Sequence, residues 1–188
     1  MNKKAFALIL ASLFASPALA ADHYTVDATH TWPMFEINHL GFTTQRGRFN
    51  QSSGKIELDI AAKKGSVELT IQTDSLDMGF EKWDQHLKAE GFFDTEIHPT
   101  MHFSSKKLRF KGDKVIAAEG DFTLLGVTKP LTLTVSNFRC APHPMNKKPT
   151  CGADISATLK RSDFGMTKYV PAISDKVKIM VPLEATLD

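Results

Sequence analysis

Beyond its first twenty residues the chain lacks any apolar run long enough to cross a bilayer, so no integral membrane helix is expected there. It also lacks a net charge. Residues 1–20 contain Lys3 and Lys4 and no acidic residue. Taking those two from 23 basic residues leaves 21, against 21 acidic ones. That balance argues against nucleic acid, or an anionic membrane surface, as the main partner. Cysteine is nearly absent. Cys140 and Cys151 are the only two, and with His143 they offer too few ligands, at no familiar spacing, for a metal. The G-x-S-x-G elbow, the P-loop and the dinucleotide fingerprint are missing, as are internal repeats and low-complexity tracts. No cofactor and no metal is therefore expected.

What is there begins with export. Residues 1–20 read MNKKAFALILASLFASPALA. Lys3 and Lys4 form a positive start, Ala5 to Ala15 an apolar stretch, and Ala18-Leu19-Ala20 a small-residue cleavage site. This is the pattern of a secretory signal peptide, with cleavage expected after Ala20. Residues 21–188 then make a single domain. Export places the two cysteines in an oxidising compartment, where a Cys140–Cys151 disulfide is the default. It would close a loop worth about 3 kcal/mol in the chain-entropy model. The intervening APHPMNKKPT holds three prolines and no strand pattern, so the bridge reads as a staple on a surface loop outside the core.

From Val26 onward the dominant period is two. KIELDI, VELTIQ, LTLTVS and DISATL each alternate apolar and polar residues, and SSGK, KKGS, KGDK and GVTKP separate the runs. The pattern predicts strands at 32–38, 46–60, 65–73, 100–111, 114–125, 129–139, 153–164 and 176–187, with a short one near 24–27. An all-β chain of eight antiparallel strands suits a closed barrel, which removes exposed edges. A two-sheet sandwich has the same signature. One segment departs from it. Phe80, Trp83 and Leu87 fall at helical spacing, with Asp77 placed to cap the start and Gly91 to end the helix.

The 13 Phe and 7 Met residues are the strongest chemical signal. Phe35 and Ile37, Phe49, Leu69 and Ile71, Met101 and Phe103, and Phe110 recur on strand alternations. An eight-stranded barrel can hold one small ligand or fill with side chains, and composition leaves both open. Histidines supply an enzyme alternative, with His86 or His102 as a base; it requires a polar cluster inside the barrel. His98 and His102 lie four apart without an evident third metal ligand.

The stretch HLKAEGFFDTEIHPTMHF decides between these readings. His86-Leu87, Phe92-Phe93-Asp94, Pro99 and Phe103 resemble the signature of the YceI-like family of secreted bacterial proteins. His39-Leu40-Gly41, Gly47-x-Phe49, the Gly120-to-Pro130 turn, LKRSDFGM and ISDKVKIMVPLEA follow in the family's order. The resemblance implies an extended, lipocalin-like antiparallel barrel, with the helix at its mouth and an apolar lumen. It implies a periplasmic carrier, not an enzyme, for a polyisoprenoid, an isoprenoid quinone or a fatty acyl derivative, and a possible homodimer. A filled barrel serving stress or interaction without ligand is the remaining alternative. Lumen candidates are Phe35, Ile37, Phe49, Leu69, Ile71, Trp83, Leu87, Phe92, Phe93, Met101, Phe103 and Phe110. Alternation predicts one of Phe92 and Phe93 facing in and the other out. Two features depart from the family: Trp83 stands where its helix carries an arginine, and the cysteine loop is an elaboration.

Overall fold

The structure, a computed structural model, describes residues 21–188. The export signal and its cleavage site therefore lie outside the described residues. The strands are β1 (Asp22–Val26), β2 (Met34–His39), β3 (Thr43–Phe49), β4 (Ser52–Asp59), β5 (Lys64–Gln72), β6 (Leu76–Asp77), β7 (Thr100–Lys111), β8 (Lys114–Leu124), β9 (Val127–Pro142), β10 (Pro149–Lys160) and β11 (Ile173–Leu187). The one α-helix among the described residues is α1 (Glu81–Lys88).

Eight strands close a ring, in the order β1-β4-β5-β7-β8-β9-β10-β11 and back to β1, antiparallel at every step. The expected barrel forms rather than a sandwich, because β1 joins β4 to β11 and leaves neither edge open there. Alternation supplies the core directly: Ile56 and Leu58, Leu69 and Ile71, and Met101 and Phe103 all point inward and are buried.

β11 is the strand that shapes the molecule. Its last residues, Ala185 to Leu187, pair with β1, whereas Ile173 to Met180 pair with β2. At that second end β2, β3 and β6 splay away as a wing. β6 has only two residues, so the wing's sheet stops there. Helix α1 and the chain after it follow at the wing's edge.

Three expectations need correcting. The run 46–60 is two strands, broken at Asn50, whose N–H donates to the Ser75 carbonyl at 3.0 Å. β3 pairs with β2, whereas β4 pairs with β1 and β5. The cysteine segment is not a long loop. β9 runs on to Pro142 and β10 starts at Pro149, so Cys140 and Cys151 are cross-strand partners, bonded, with Cα atoms 4.0 Å apart. Pro142 and Pro149 sit at strand ends and Pro144 in the turn between them, where a missing N–H breaks no inner ladder. Finally, Asp77 does not cap the helix. It lies in β6 and accepts from the Gly79 N–H at 2.8 Å, while Asp84 accepts from the Met78 N–H at 2.7 Å. The helix ends at Lys88, before Gly91, whose positive φ of +85° serves the turn that follows.

Candidate functional site

A cavity of about 350 Å³ opens at the splayed end of the barrel. Its walls come from the ring, the wing, the helix with the turn behind it, and the segment from Arg161 to Ile173. Inward residues of the ring supply Ile71, Met101, Phe122, Leu124, Leu159, Val177 and Ile179. The wing supplies Phe35, Ile37 and Phe49. The helix and the turn behind it supply Trp83, His86, Leu87, Phe92 and Phe93.

The aromatic side of the wall is built on a glycine. A Cβ at Gly47 would lie 2.6 and 2.7 Å from atoms of the Phe35 ring. Only a residue without that atom lets Phe35 lie across β3. Phe35 then stands 6.0 Å from Phe49 and 6.1 Å from Phe93, ring centre to ring centre, and Phe49 meets Phe93 edge-on at 5.3 Å. Such tilted and edge-on pairs are the favoured aromatic geometry.

Phe92 and Phe93 both line the cavity, against the expectation of one ring in and one out. Alternation belongs to extended backbone, and this segment is a run of turns. The Phe93 N–H donates to the Leu87 carbonyl at 3.0 Å and the Phe92 N–H to the Ala89 carbonyl at 3.2 Å. Phe92 packs on His86 at 4.7 Å and Tyr169 at 6.0 Å, with the Lys168 ammonium 4.9 Å above its ring.

Of the other lumen candidates, Phe35, Ile37, Phe49, Ile71, Trp83, Leu87 and Met101 line this cavity. Leu69 and Phe103 line a second, smaller one of about 80 Å³ deeper in the ring, whose wall has no polar side chain. Phe110 lines neither; the Lys63 ammonium sits 5.8 Å from its ring. Cys151 is buried in the wall of the second cavity, so the disulfide is not outside the core as expected.

The polar side chains on the first cavity are few: His39, Gln45, His86, Arg161 and Tyr169. The sequence offered Arg161 only as part of LKRSDFGM. It is 3% exposed, and its guanidinium donates to the carbonyls of Ser174 at 3.0 Å, Met166 at 3.0 Å and Ile173 at 3.1 Å. Burial pushes its pKa down, and the nearby Asp175 carboxylate opposes that shift. Three carbonyl dipoles make this buried cation tolerable. They also tie the 165–172 loop, with Met166 and Tyr169, to the cavity's edge. His102 is elsewhere: its ring pairs with Glu68 at 3.0 Å and does not line the cavity. Among the described residues no Ser, Thr or free Cys lines it, and the hydroxyl-bearing neighbour of His86 is Tyr169, whose ring stacks on it at 6.5 Å.

Val177 and Ile179 of β11 pair with Ile37 and Phe35 of β2, which joins the wing to the ring at the cavity wall. Among the described residues, one group has metal-capable spacing: Asp27, His30 and Glu184. His30 Nδ1 is already taken by Asp27, 2.8 Å away.

Residues 24–185 match the YceI-like domain model. A protein of Shewanella oneidensis, known only as a UPF0312 protein, is 38% identical over 188 residues, which cover 98% of each chain. Among solved structures, BcnA of Burkholderia cenocepacia superposes with a TM-score of 0.72 at 24% identity, over 86% of this chain and 99% of that one. A polyisoprenoid-binding domain from Saccharophagus degradans, implicated in plant cell wall breakdown, gives 0.65 at 16% identity, over 88% and 98%. The last two likenesses concern the fold; the domain match and the Shewanella relative decide the family. With a ring of eight antiparallel strands, a helix beside its open end and a match across nearly all of the described residues, this chain belongs to the YceI-like family.

Proposed function

We propose that this protein is a periplasmic carrier that holds one apolar lipid chain, isoprenoid, isoprenoid quinone or fatty acyl, in the first cavity. The observation that carries the reading is the wall itself: a cavity of about 350 Å³ in which apolar and aromatic side chains dominate. A buried hydrocarbon gains about 25 cal/mol per Å² on leaving water, part of which offsets the ordering of the chain. The shared fold with a polyisoprenoid-binding domain supports the same class of ligand.

The rim supports a weakly polar head group. Where the family's helix carries an arginine, Trp83 stacks on His39 at 6.4 Å. A hydroxyl, phenol or quinone oxygen suits the hydrogen-bonding side chains of His39, Gln45, His86 and Tyr169 on the wall.

Native mass spectrometry and solvent extraction of protein purified from its own host test the reading. An intact apolar lipid at one per chain is the expected result. A chemically altered lipid would favour catalysis, and repeated absence a filled barrel. The same spectrum checks export: the mature chain should begin at Ala21.

A further inference from the structure

We infer that a rung of three residues, Leu69, Phe103 and Phe122, is a septum that sets the length of chain the lumen accepts. The inference rests on the carrier reading. The two cavities share no lining residue, yet they occupy one lumen. On β5, β7 and β11 the change from one to the other occurs between successive inward residues, and on β8 and β10 one inward position, Gly120 or Ala157, lies between. On β5 it falls between Ile71 and Leu69, and on β7 between Met101 and Phe103. On β8, β10 and β11 it falls beyond Phe122, Leu159 and Ile179.

Register explains the barrier. Leu69 is the cross-strand partner of Phe103, and Phe103 that of Phe122. The three side chains thus lie at one level of the barrel. Phe122 is braced by the buried Phe164, edge-on at 5.7 Å. Phe103 leans over Gly120, where a Cβ would fall 2.9 Å from its ring tip. The missing side chain at Gly120 gives the ring its place. All three septum residues are buried, and behind them the second cavity stays separate and wholly apolar.

Size follows from volume. An apolar cavity of about 150 Å³ admits one benzene, so the first cavity's 350 Å³ holds about fourteen carbons, near three isoprene units. Additional units must stay at the mouth, in water, and add little affinity. The protein therefore recognises about three units at the buried end of its lipid, whatever the full length of the chain.

Dissociation constants of delipidated protein for the two-, three- and four-unit isoprenoid alcohols geraniol, farnesol and geranylgeraniol test this. In the parent, affinity should rise about tenfold or more from two to three units and less than about twofold from three to four. Phe103→Ala should join the cavities and restore a gain of about tenfold at the fourth unit. Phe103→Leu should shift the same step by less, and serves if the alanine variant does not fold. A parent affinity that keeps rising through four units overturns the septum but leaves the carrier reading intact. A plateau that neither substitution moves also overturns the septum. No binding of any alcohol by the parent overturns the carrier reading, and the septum with it.

Discussion

Trp83 on α1 lies nearly parallel to the His39 ring at the end of β2, with centroids 6.4 Å apart and 28° between planes. The contact ties the helix to the wing across the cavity's edge. Both residues line the cavity, and Trp83 remains 38% exposed. An entering chain must therefore change the surroundings of this indole.

Trp32 and Trp83 are the only tryptophans, so a Trp32→Phe variant isolates the signal. Titrating that variant, delipidated, with farnesol should change its emission saturably. Binding with unchanged emission would remove α1 from the entrance.

Phe92→Asp and Phe93→Asp should both weaken farnesol binding, each by tenfold or more. A carboxylate there loses hydration and gains no partner, a penalty of about 1–3 kcal/mol or more. The alternation argument allowed a large effect at one position only. Calorimetric affinities of the two variants decide, with thermal melts to confirm that each is folded.

Arg161→Leu should destabilise the protein by about 3 kcal/mol or more, because three carbonyls lose a charged donor at once. Lysine should recover only part of this, since one ammonium cannot reproduce the fork. Urea denaturation measures the loss. Limited proteolysis should show cleavage in 165–172 appearing with it, and an intact loop in the leucine variant would contradict the tether.

Thiol titration of unreduced, denatured protein should find no free thiol. Replacing both Cys140 and Cys151 by alanine should lower stability by about 3 kcal/mol in the chain-entropy model. Cys151 lines the second cavity and not the first, so farnesol affinity should change by less than about threefold. A larger change would mean that the two ends of the barrel are coupled.

At the start of the β1–β2 connection, Asp27 and His30 should give opposite pH dependences. The Thr29 hydroxyl and the His30 ring hold the Asp27 carboxyl down to about 2 from 3.8. Its contribution to stability is therefore complete above 3.8 and lost as pH falls towards 2. His30 is raised above 6.5 by its bond to Asp27, so its contribution is complete below 6.5 and lost as pH rises through its native value. An NMR titration of the His30 ring should show a midpoint above 6.5 that Asp27→Asn brings down. A midpoint at or below 6.5 in the parent would refute the pairing.

Much of the fold was legible because strand alternation is a local property. Ile56 and Leu58, or Met101 and Phe103, show an inward face whatever they pair with. The break in 46–60 was not legible. Phe49 and Ser52 are both buried although three residues apart, so the inward parity slips between them, and a buried serine carries no apolar signal of that slip. Pairing is not local. Tyr24 meets Leu187, and Ile179 meets Phe35 on one side while keeping Ala157 on the other, contacts that only the closed chain brings about. The prolines around Cys140 and Cys151 hid two strand ends, because their cost depends on which edge they face. The motif LKRSDFGM did not show that Arg161 would be buried, because the carbonyls of Met166, Ile173 and Ser174 surround it only once the loop between them folds back. The sequence by itself determined an antiparallel, apolar-faced β chain with one helix. Closure, the two cavities and the joint placement of Phe92 and Phe93 were decided only in three dimensions, where register sets which inward side chains share a level and backbone turns override alternation.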